Sequence, residues 1–131
     1  MPDMKYADAD IAGTLSDAPD YPQVNFAAVR EMHRQVGDLQ TERGVATRGL
    51  LVRHLVLPER QAGSVHVIDF LADEISPHTA INIMDQYHPC FRAYEDPALA
   101  RRITRTEFEA VIAYARSLGL SRGFASFPLE D

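Results

Sequence analysis

Strand patterns and helix patterns alternate along this chain, which limits the folds that it can adopt. The runs GLLVRHLVLP (residues 49–58) and TAINIMDQY (79–87) predict strands. RGFASF (122–127) predicts a weaker strand, and DMKYA (3–7) is typical of the end of another. Because helical patterns separate these runs, we expect an α/β fold with right-handed crossovers and a mostly parallel sheet.

Capping signals and apolar spacing predict three helices. The first covers residues 20–37, with Asp20 as its cap and Pro22 in its first turn. The second covers 64–75, and the third covers 104–119, which opens on the capping box TRTE. A short additional turn is expected at DPALARR (96–102), and a loop at DLQTERGVAT (38–47).

Length and composition limit the class of protein. The 131 residues suffice for one domain, residues 1–131, with a single core. A net charge of -6 argues against a nucleic acid as partner, and the chain has no apolar run long enough to cross a membrane. Cys90 is the only cysteine, which excludes an internal disulfide and favours a reducing cytoplasm.

Polar side chains gather where the predicted strands end, which is where parallel α/β folds bind ligands. They come from three strand ends: Asp3, Lys5 and Asp8; Arg53 and His54; Asp85, Gln86, Tyr87 and His88. We expect them to converge on one site. Each also has a structural interpretation: Lys5 as a solvated lysine, His88 as a loop histidine, and Arg53 as the partner in a structural salt bridge.

Arg53 and His54 are neighbours inside an apolar strand, so they must point to opposite faces of the sheet. An unpaired charge in such a strand would be costly, which requires a partner for Arg53. We expect Arg53 to face the inside of the predicted cleft or barrel, and His54 to support the site from behind.

Five motifs, taken in order, resemble the C-terminal half of radical SAM proteins. The group that they resemble is the pyruvate formate-lyase activating enzyme-like group, and the resemblance covers essentially the whole chain. The motifs are PDMKYAD, YPQVNFAAVREMHRQVGDL, GVATRGLLVRHLVLP, INIMDQYHP and RRITRTEFEAVIAYARSLGL.

The resemblance implies a partial parallel (β/α)6 barrel in which S-adenosylmethionine and a [4Fe–4S] cluster lie at the carboxyl ends of the strands. It also implies a glycyl-radical enzyme as a protein substrate. By matching motifs, Lys5 would contact the cofactor carboxylate, Arg53 would face the cofactor, and His88 would approach its adenosine. Asp3 would be a weak ligand of a monovalent cation, and no catalytic residue is carried over.

The chain lacks the CxxxCxxC motif that supplies three thiolates to the cluster in this family. We therefore expect half of a barrel, the C-terminal portion of a radical SAM protein, that generates no radicals alone. Its open edges and apolar inner face would be covered by a separate N-terminal half or by a second copy of the chain.

Two alternatives come from other classes of function. The chain could be a stand-alone dimeric module, derived from that barrel, that binds a ligand or regulates a partner. It could also hold a mononuclear metal site built from His54, Asp85 and His88, residue types that suit zinc or iron but that carry no spacing signature here.

Overall fold

The computed structural model describes residues 1–123. Four α-helices and four strands lie in this part of the chain: α1 (Ala9–Ser16), α2 (Tyr21–Val36), β1 (Gln40–Glu42), β2 (Val45–Arg48), β3 (Leu51–Leu55), α3 (Ser64–Phe70), β4 (Ala80–Met84) and α4 (Arg105–Ser117). Short 3-10 helices cover Pro58–Arg60 and Phe91–Glu95, and α3 continues into a π-helical turn over Leu71–Ile75.

A parallel pair of strands, β3 and β4, forms the centre of the fold, and Arg53 lies opposite Asn82 in its register. The N-terminal segment extends this pair on one side through a parallel bridge between Asp3 and Arg53. A parallel bridge between Ala80 and Arg122 extends it on the other. The predicted parallel pairing is confirmed, whereas the barrel implied by the resemblance stays a prediction. Most of the predicted strand at 122–127 lies outside the described residues.

Helices α2, α3 and α4 cover one face of the sheet and form the core with it. The core residues are Met4, Val29, Leu50, Val52, Val56, Val67, Ile68, Phe70, Leu71, Ile81, Ile83, Ala115 and Leu120. The opposite face carries side chains that are only half-buried, namely Leu51, Arg53, Leu55, Asn82 and Met84. We call this second group of residues the open face.

The three predicted helices are present, and their ends follow the local chemistry. Gly37, with a φ of 70°, ends α2, and Pro22 lies in its first turn, although the Asp20 side chain makes no capping hydrogen bond. At α4, the Thr104 side chain accepts from the Glu107 N–H and Glu107 accepts from the Thr104 N–H, as the capping box predicts.

Two elements differ from the sequence-based prediction. The loop predicted at 38–47 contains the antiparallel hairpin β1–β2, whose Arg43 and Gly44 turn has positive φ at both residues. Helix α1 was not predicted; Asp8 caps it by accepting a hydrogen bond from the Ile11 N–H at 2.9 Å. The short turn predicted at 96–102 is present, and the Asp96 carboxylate accepts from the Ala98 N–H at 2.9 Å.

In residues 1–123, no helix combines the length and the apolar character that a membrane crossing requires.

Candidate functional site

A single carboxylate, that of Asp3, holds both cations that the sequence places at the site. The Arg53 Nε donates to Asp3 Oδ1 at 2.6 Å, and the Lys5 Nζ donates to Asp3 Oδ2 at 3.2 Å. Side-chain exposure is 28% for Asp3, 39% for Arg53 and 55% for Lys5, so this cluster is screened only in part by solvent. The structure therefore gives Arg53 the ion-pair partner that its place in an apolar strand requires.

The backbone explains why these three side chains meet. Asp3 and Lys5 are two residues apart in an extended segment, so they point to the same side of the sheet. Asp3 is also the residue that pairs with Arg53 in the parallel register. The Arg53 hydrogen bond, followed by the Lys5 contacts, holds the pKa of the Asp3 carboxyl below its usual value. Two cations share one anion, so the cluster has a net charge of +1.

Two side chains of α2 fix the backbone of the Asp3 segment. The Tyr21 hydroxyl accepts from the Lys5 N–H at 3.0 Å and donates to the Asp3 carbonyl at 3.2 Å. The Asn25 Nδ2 donates to the same carbonyl at 3.0 Å. These hydrogen bonds occupy the edge of the segment that faces away from β3. The sequence analysis missed both residues, and their i, i+4 spacing on a predicted helix was the available signal.

His54 lies on the covered face and is fully buried. Its Nδ1 is 2.6 Å from the Met4 carbonyl and its Nε2 is 2.8 Å from the Ser64 hydroxyl. Because a carbonyl can only accept, Nδ1 carries the hydrogen and Nε2 accepts from Ser64. Burial lowers the pKa of His54, which keeps the ring neutral. The predicted opposite orientation of Arg53 and His54 is confirmed.

A cavity of about 650 Å³ lies at the carboxyl ends of the strands. The strand ends contribute Lys5 and Tyr6, Leu55 and Leu57, and Tyr87. The remaining wall comes from α1 and from the segment after β4: Thr14, Leu15, Cys90, Phe91, Arg92, Ala93, Glu95, Asp96 and Leu99. Its volume lies within the range typical of small-molecule sites.

The predicted site residues converge only in part. Lys5 and Tyr87 line the cavity, and Arg53 is joined to Lys5 through Asp3. His88 is exposed, does not line the cavity, and places its Nδ1 3.4 Å from the Gln86 carbonyl. The assignment of Lys5, Arg53 and His88 to a cofactor, and of Asp3 to a monovalent cation, stays a prediction. Both Asp3 oxygens already contact cationic side chains, with which such an ion would compete.

The geometry gives the mononuclear metal hypothesis no support. Both ring nitrogens of His54 are occupied by hydrogen bonds. In the part of the chain that the structure describes, no group of three histidine, cysteine or carboxylate side chains is placed to hold a metal ion.

A second polar cluster lies near the amino ends of β3 and β4. Asp38 accepts from His33 Nε2 at 2.9 Å and from the Ser76 hydroxyl at 3.0 Å. A nucleophilic triad needs the serine hydroxyl to donate to the histidine, which then donates to the carboxylate. Here the serine and the histidine both bond to the carboxylate, so this cluster joins α2 to the turn before β4 and is not a catalytic triad.

Comparisons with known proteins find a relative but show no family. The chain is 25% identical over 121 residues to an uncharacterized protein, MJ0674, of Methanocaldococcus jannaschii. The alignment covers 92% of this chain and 32% of the relative, so the chain spans about a third of the length of that protein. No family model matches the sequence, and no solved structure matches it.

Proposed function

We propose that this chain acts as the C-terminal portion of a radical SAM enzyme similar to the glycyl-radical activating enzymes. It would contribute cofactor and substrate contacts to a barrel whose cluster-binding half lies in another polypeptide segment. The observation that carries the proposal is the meeting of Lys5 and Arg53 on one carboxylate, beside a cavity at the carboxyl ends of parallel strands. This is the position at which α/β barrels bind their ligands.

The open face supports the proposal. Parallel sheets are normally covered on both faces. In residues 1–123 the core helices α2, α3 and α4 pack against one face, and the side chains of the open face are only half-buried. Arg53 and Asn82 are adjacent on the open face and Asp3 extends the same row, so a layer of polar side chains crosses it. A barrel completed by further strands would enclose this layer, as barrel interiors enclose layers of side chains.

The alignment lengths also support a place within a larger protein. The relative is about three times as long as the aligned part of this chain. The additional length leaves room for the further strands that the proposal requires. We propose a cluster-binding segment as the partner and a glycyl-radical enzyme as the protein substrate, as the resemblance implies.

The residues of this chain do not fit a [4Fe–4S] cluster by themselves. A cubane needs three protein thiolates here, and the chain has only Cys90, which is exposed. For S-adenosylmethionine, Lys5 would offer its ammonium to the carboxylate, while Arg53 would keep Asp3 in place. Bound to a reduced cluster, this cofactor supplies an adenosyl radical. The exposed single thiol favours a reducing compartment, and we propose the cytoplasm.

The test is cluster assembly in the chain with and without the polypeptide encoded directly upstream of Met1. Iron and sulfide are added anaerobically and the charge-transfer absorbance of the cubane is measured. We expect no cluster in the chain alone and one cluster per complex when the upstream polypeptide supplies a CxxxCxxC loop. A stoichiometric cluster in the isolated chain, or none in the complex, would overturn the proposal.

A second candidate function is a stand-alone dimeric module that binds a ligand. It is favoured by the cavity, whose volume of about 650 Å³ lies within the range typical of small-molecule sites. Sedimentation equilibrium of the isolated chain tests it. A dimer whose association is abolished by Leu51→Glu on the open face would favour the module, and a monomer at all concentrations would exclude this dimeric form.

A further inference from the structure

We propose that the cavity binds small organic anions with an apolar or aromatic body, and that the Asp3 carboxylate competes with them for Lys5. Binding in this cavity would need no second polypeptide and no radical chemistry. Asp3 would set the affinity, because its carboxylate pairs with the same Lys5 ammonium that a bound anion needs.

The charge distribution indicates an anion. Lys5 is the only lysine of a chain that has twelve arginines, and it lines the cavity. Asp3 gives its shorter contact, 2.6 Å, to Arg53 and its longer contact, 3.2 Å, to Lys5. Arg53 alone can neutralise Asp3, so the positive charge left over in the cluster is available at Lys5. A compact ammonium on a flexible stem suits a carboxylate or a phosphate oxygen.

The other charged side chains of the wall have partners of their own. The Arg92 Nε donates to Glu95 at 3.1 Å, and the Asp96 carboxylate caps its own turn by accepting from the Ala98 N–H. Arg92 and Glu95 therefore balance each other, whereas the Asp96 carboxylate leaves one negative charge in the wall that the segment after β4 forms. The lining as a whole is neutral, and Lys5 is the cation at the strand ends to which an anionic group would pair.

Apolar and aromatic side chains make up much of the remaining wall. They are Tyr6, Leu15, Leu55, Leu57, Tyr87, Phe91 and Leu99. The Tyr6 hydroxyl is bonded to Ser16 at 3.0 Å, and the Tyr87 hydroxyl donates to the Leu99 carbonyl at 2.8 Å. With their hydroxyls engaged, the two rings offer apolar surface to a ligand. A molecule with one anionic end and an apolar body matches this combination.

The probe is 4-phenylbutyrate, with the neutral 4-phenylbutanamide as the matched ligand, titrated into the chain by calorimetry. We expect the carboxylate to bind at least fivefold more tightly than the amide. Lys5→Met should abolish this preference. Asp3→Asn should increase the affinity for the carboxylate about fivefold or more, with the affinity for the amide unchanged.

Binding of the probe can also be detected at Lys5 itself by NMR. Reductive methylation with 13C-formaldehyde keeps the charge of an amine and labels the lysine and the N-terminal amine. Because Lys5 is the only lysine, the two resonances are assigned by comparison with Lys5→Met. 4-Phenylbutyrate should shift the Lys5 resonance and leave the N-terminal resonance in place.

Asp3→Asn leaves Arg53 without its ion-pair partner and could unfold the protein. In that case the double variant Asp3→Asn with Arg53→Gln replaces it, because neither charge of the pair is then present. The double variant should also bind the carboxylate more tightly than the wild type does. Equal binding of carboxylate and amide, no gain in either Asp3 variant, or no binding of either probe would each overturn the inference. None of these outcomes affects cluster assembly with the upstream polypeptide, so the two proposals fail separately.

Discussion

The surroundings of His54 and of Asp3 both lower the pKa of the side chain, which favours the neutral form of His54 and the charged form of Asp3. Burial between Met4 and Ser64 favours the neutral ring of His54, because charging it would require desolvation of a cation. The Arg53 and Lys5 cations favour the charged form of Asp3. Each shift links a protonation state to the folded structure, so each predicts how stability depends on pH.

The pH dependence of stability tests the environment of His54. Its pKa is lower in the folded state than in the unfolded state, so its contribution is complete above about pH 6.5 and is lost as the pH falls through the folded value. His54→Gln should cost about 2–4 kcal/mol at pH 7.5, because two buried hydrogen bonds and ring packing are lost.

Urea unfolding between pH 7.5 and 5 measures this effect. The gap in unfolding free energy between wild type and His54→Gln should shrink towards pH 5. The exposed His88 provides the control. Introducing His88→Gln into both the wild type and His54→Gln should leave the gap between them unchanged. A gap for His54→Gln that stays constant or widens on acidification would contradict the buried, neutral assignment.

The carboxyl pKa of Asp3 tests the cluster at the sheet edge. The hydrogen bond from Arg53 is the largest cause of its depressed pKa, so Arg53→Gln should raise the pKa more than Lys5→Met does. Titration of the Asp3 side-chain 13C carboxyl resonance by NMR measures both. A larger effect of Lys5→Met, or an ordinary pKa in the wild type, would contradict the geometry.

At the scale of elements, the junction before α4 depends on Glu107. This carboxylate completes the capping box with Thr104 and accepts from Arg101, with N–O distances of 2.9 Å. Arg101 also donates to Glu59 at 2.7 Å, which ties the turn after β3 to the start of α4. The Arg101 hydrogen bonds hold the pKa of Glu107 well below its usual range.

Glu107→Gln tests this junction. The amide can still cap Thr104, but the charge that pairs with Arg101 is lost, so we expect a loss of about 1–2 kcal/mol in unfolding free energy. Glu109→Gln removes an exposed i, i+4 partner of Arg105 and should cost under about 0.5 kcal/mol. Similar losses for both variants in urea unfolding would show that Glu107 contributes no more than a surface ion pair.

Gly49 tests the connection between the β1–β2 hairpin and β3. Its φ is +103°, and a Cβ atom there would lie 2.2 Å from the Asp38 carbonyl oxygen, which cannot be accommodated without a backbone shift. Gly49→Ala should cost at least about 3 kcal/mol, combining strain and clash. Gly119 has a similar φ of +86° but open space around it, so Gly119→Ala should cost about 1 kcal/mol. Equal Tm shifts for Gly49→Ala and Gly119→Ala would contradict the close approach of Gly49 to the Asp38 backbone.

The helix ends and the central strands could be predicted because their signals are local. The Thr104 and Glu107 capping box and the apolar run around Val52 require no knowledge of distant residues. The β1–β2 hairpin was missed because its strands are exposed and do not alternate, and because its turn is Arg43–Gly44 and not the Asn-Gly or Asp-Gly of the common signature.

At the scale of the whole molecule, the candidate site is assembled from segments far apart in sequence. The order of strands and helices predicted that Asp3, Lys5 and Arg53 would lie near one another. It did not predict that Asp3 joins the two cations, because that contact depends on the register between segments 50 residues apart. His88 was predicted at the site and is exposed, since the chain after β4 turns so that Tyr87 lines the cavity.

We propose that Lys5 and the open face belong to the cofactor site of a radical SAM enzyme. The measurement is the formation of 5′-deoxyadenosine and methionine from S-adenosylmethionine by the complex of this chain with the upstream polypeptide, with dithionite as the electron donor. We predict turnover for the complex, none for either component alone, and at least a tenfold loss for Lys5→Met with the cluster absorbance unchanged. A cluster-loaded complex that forms no 5′-deoxyadenosine, or full activity of Lys5→Met, would contradict the account.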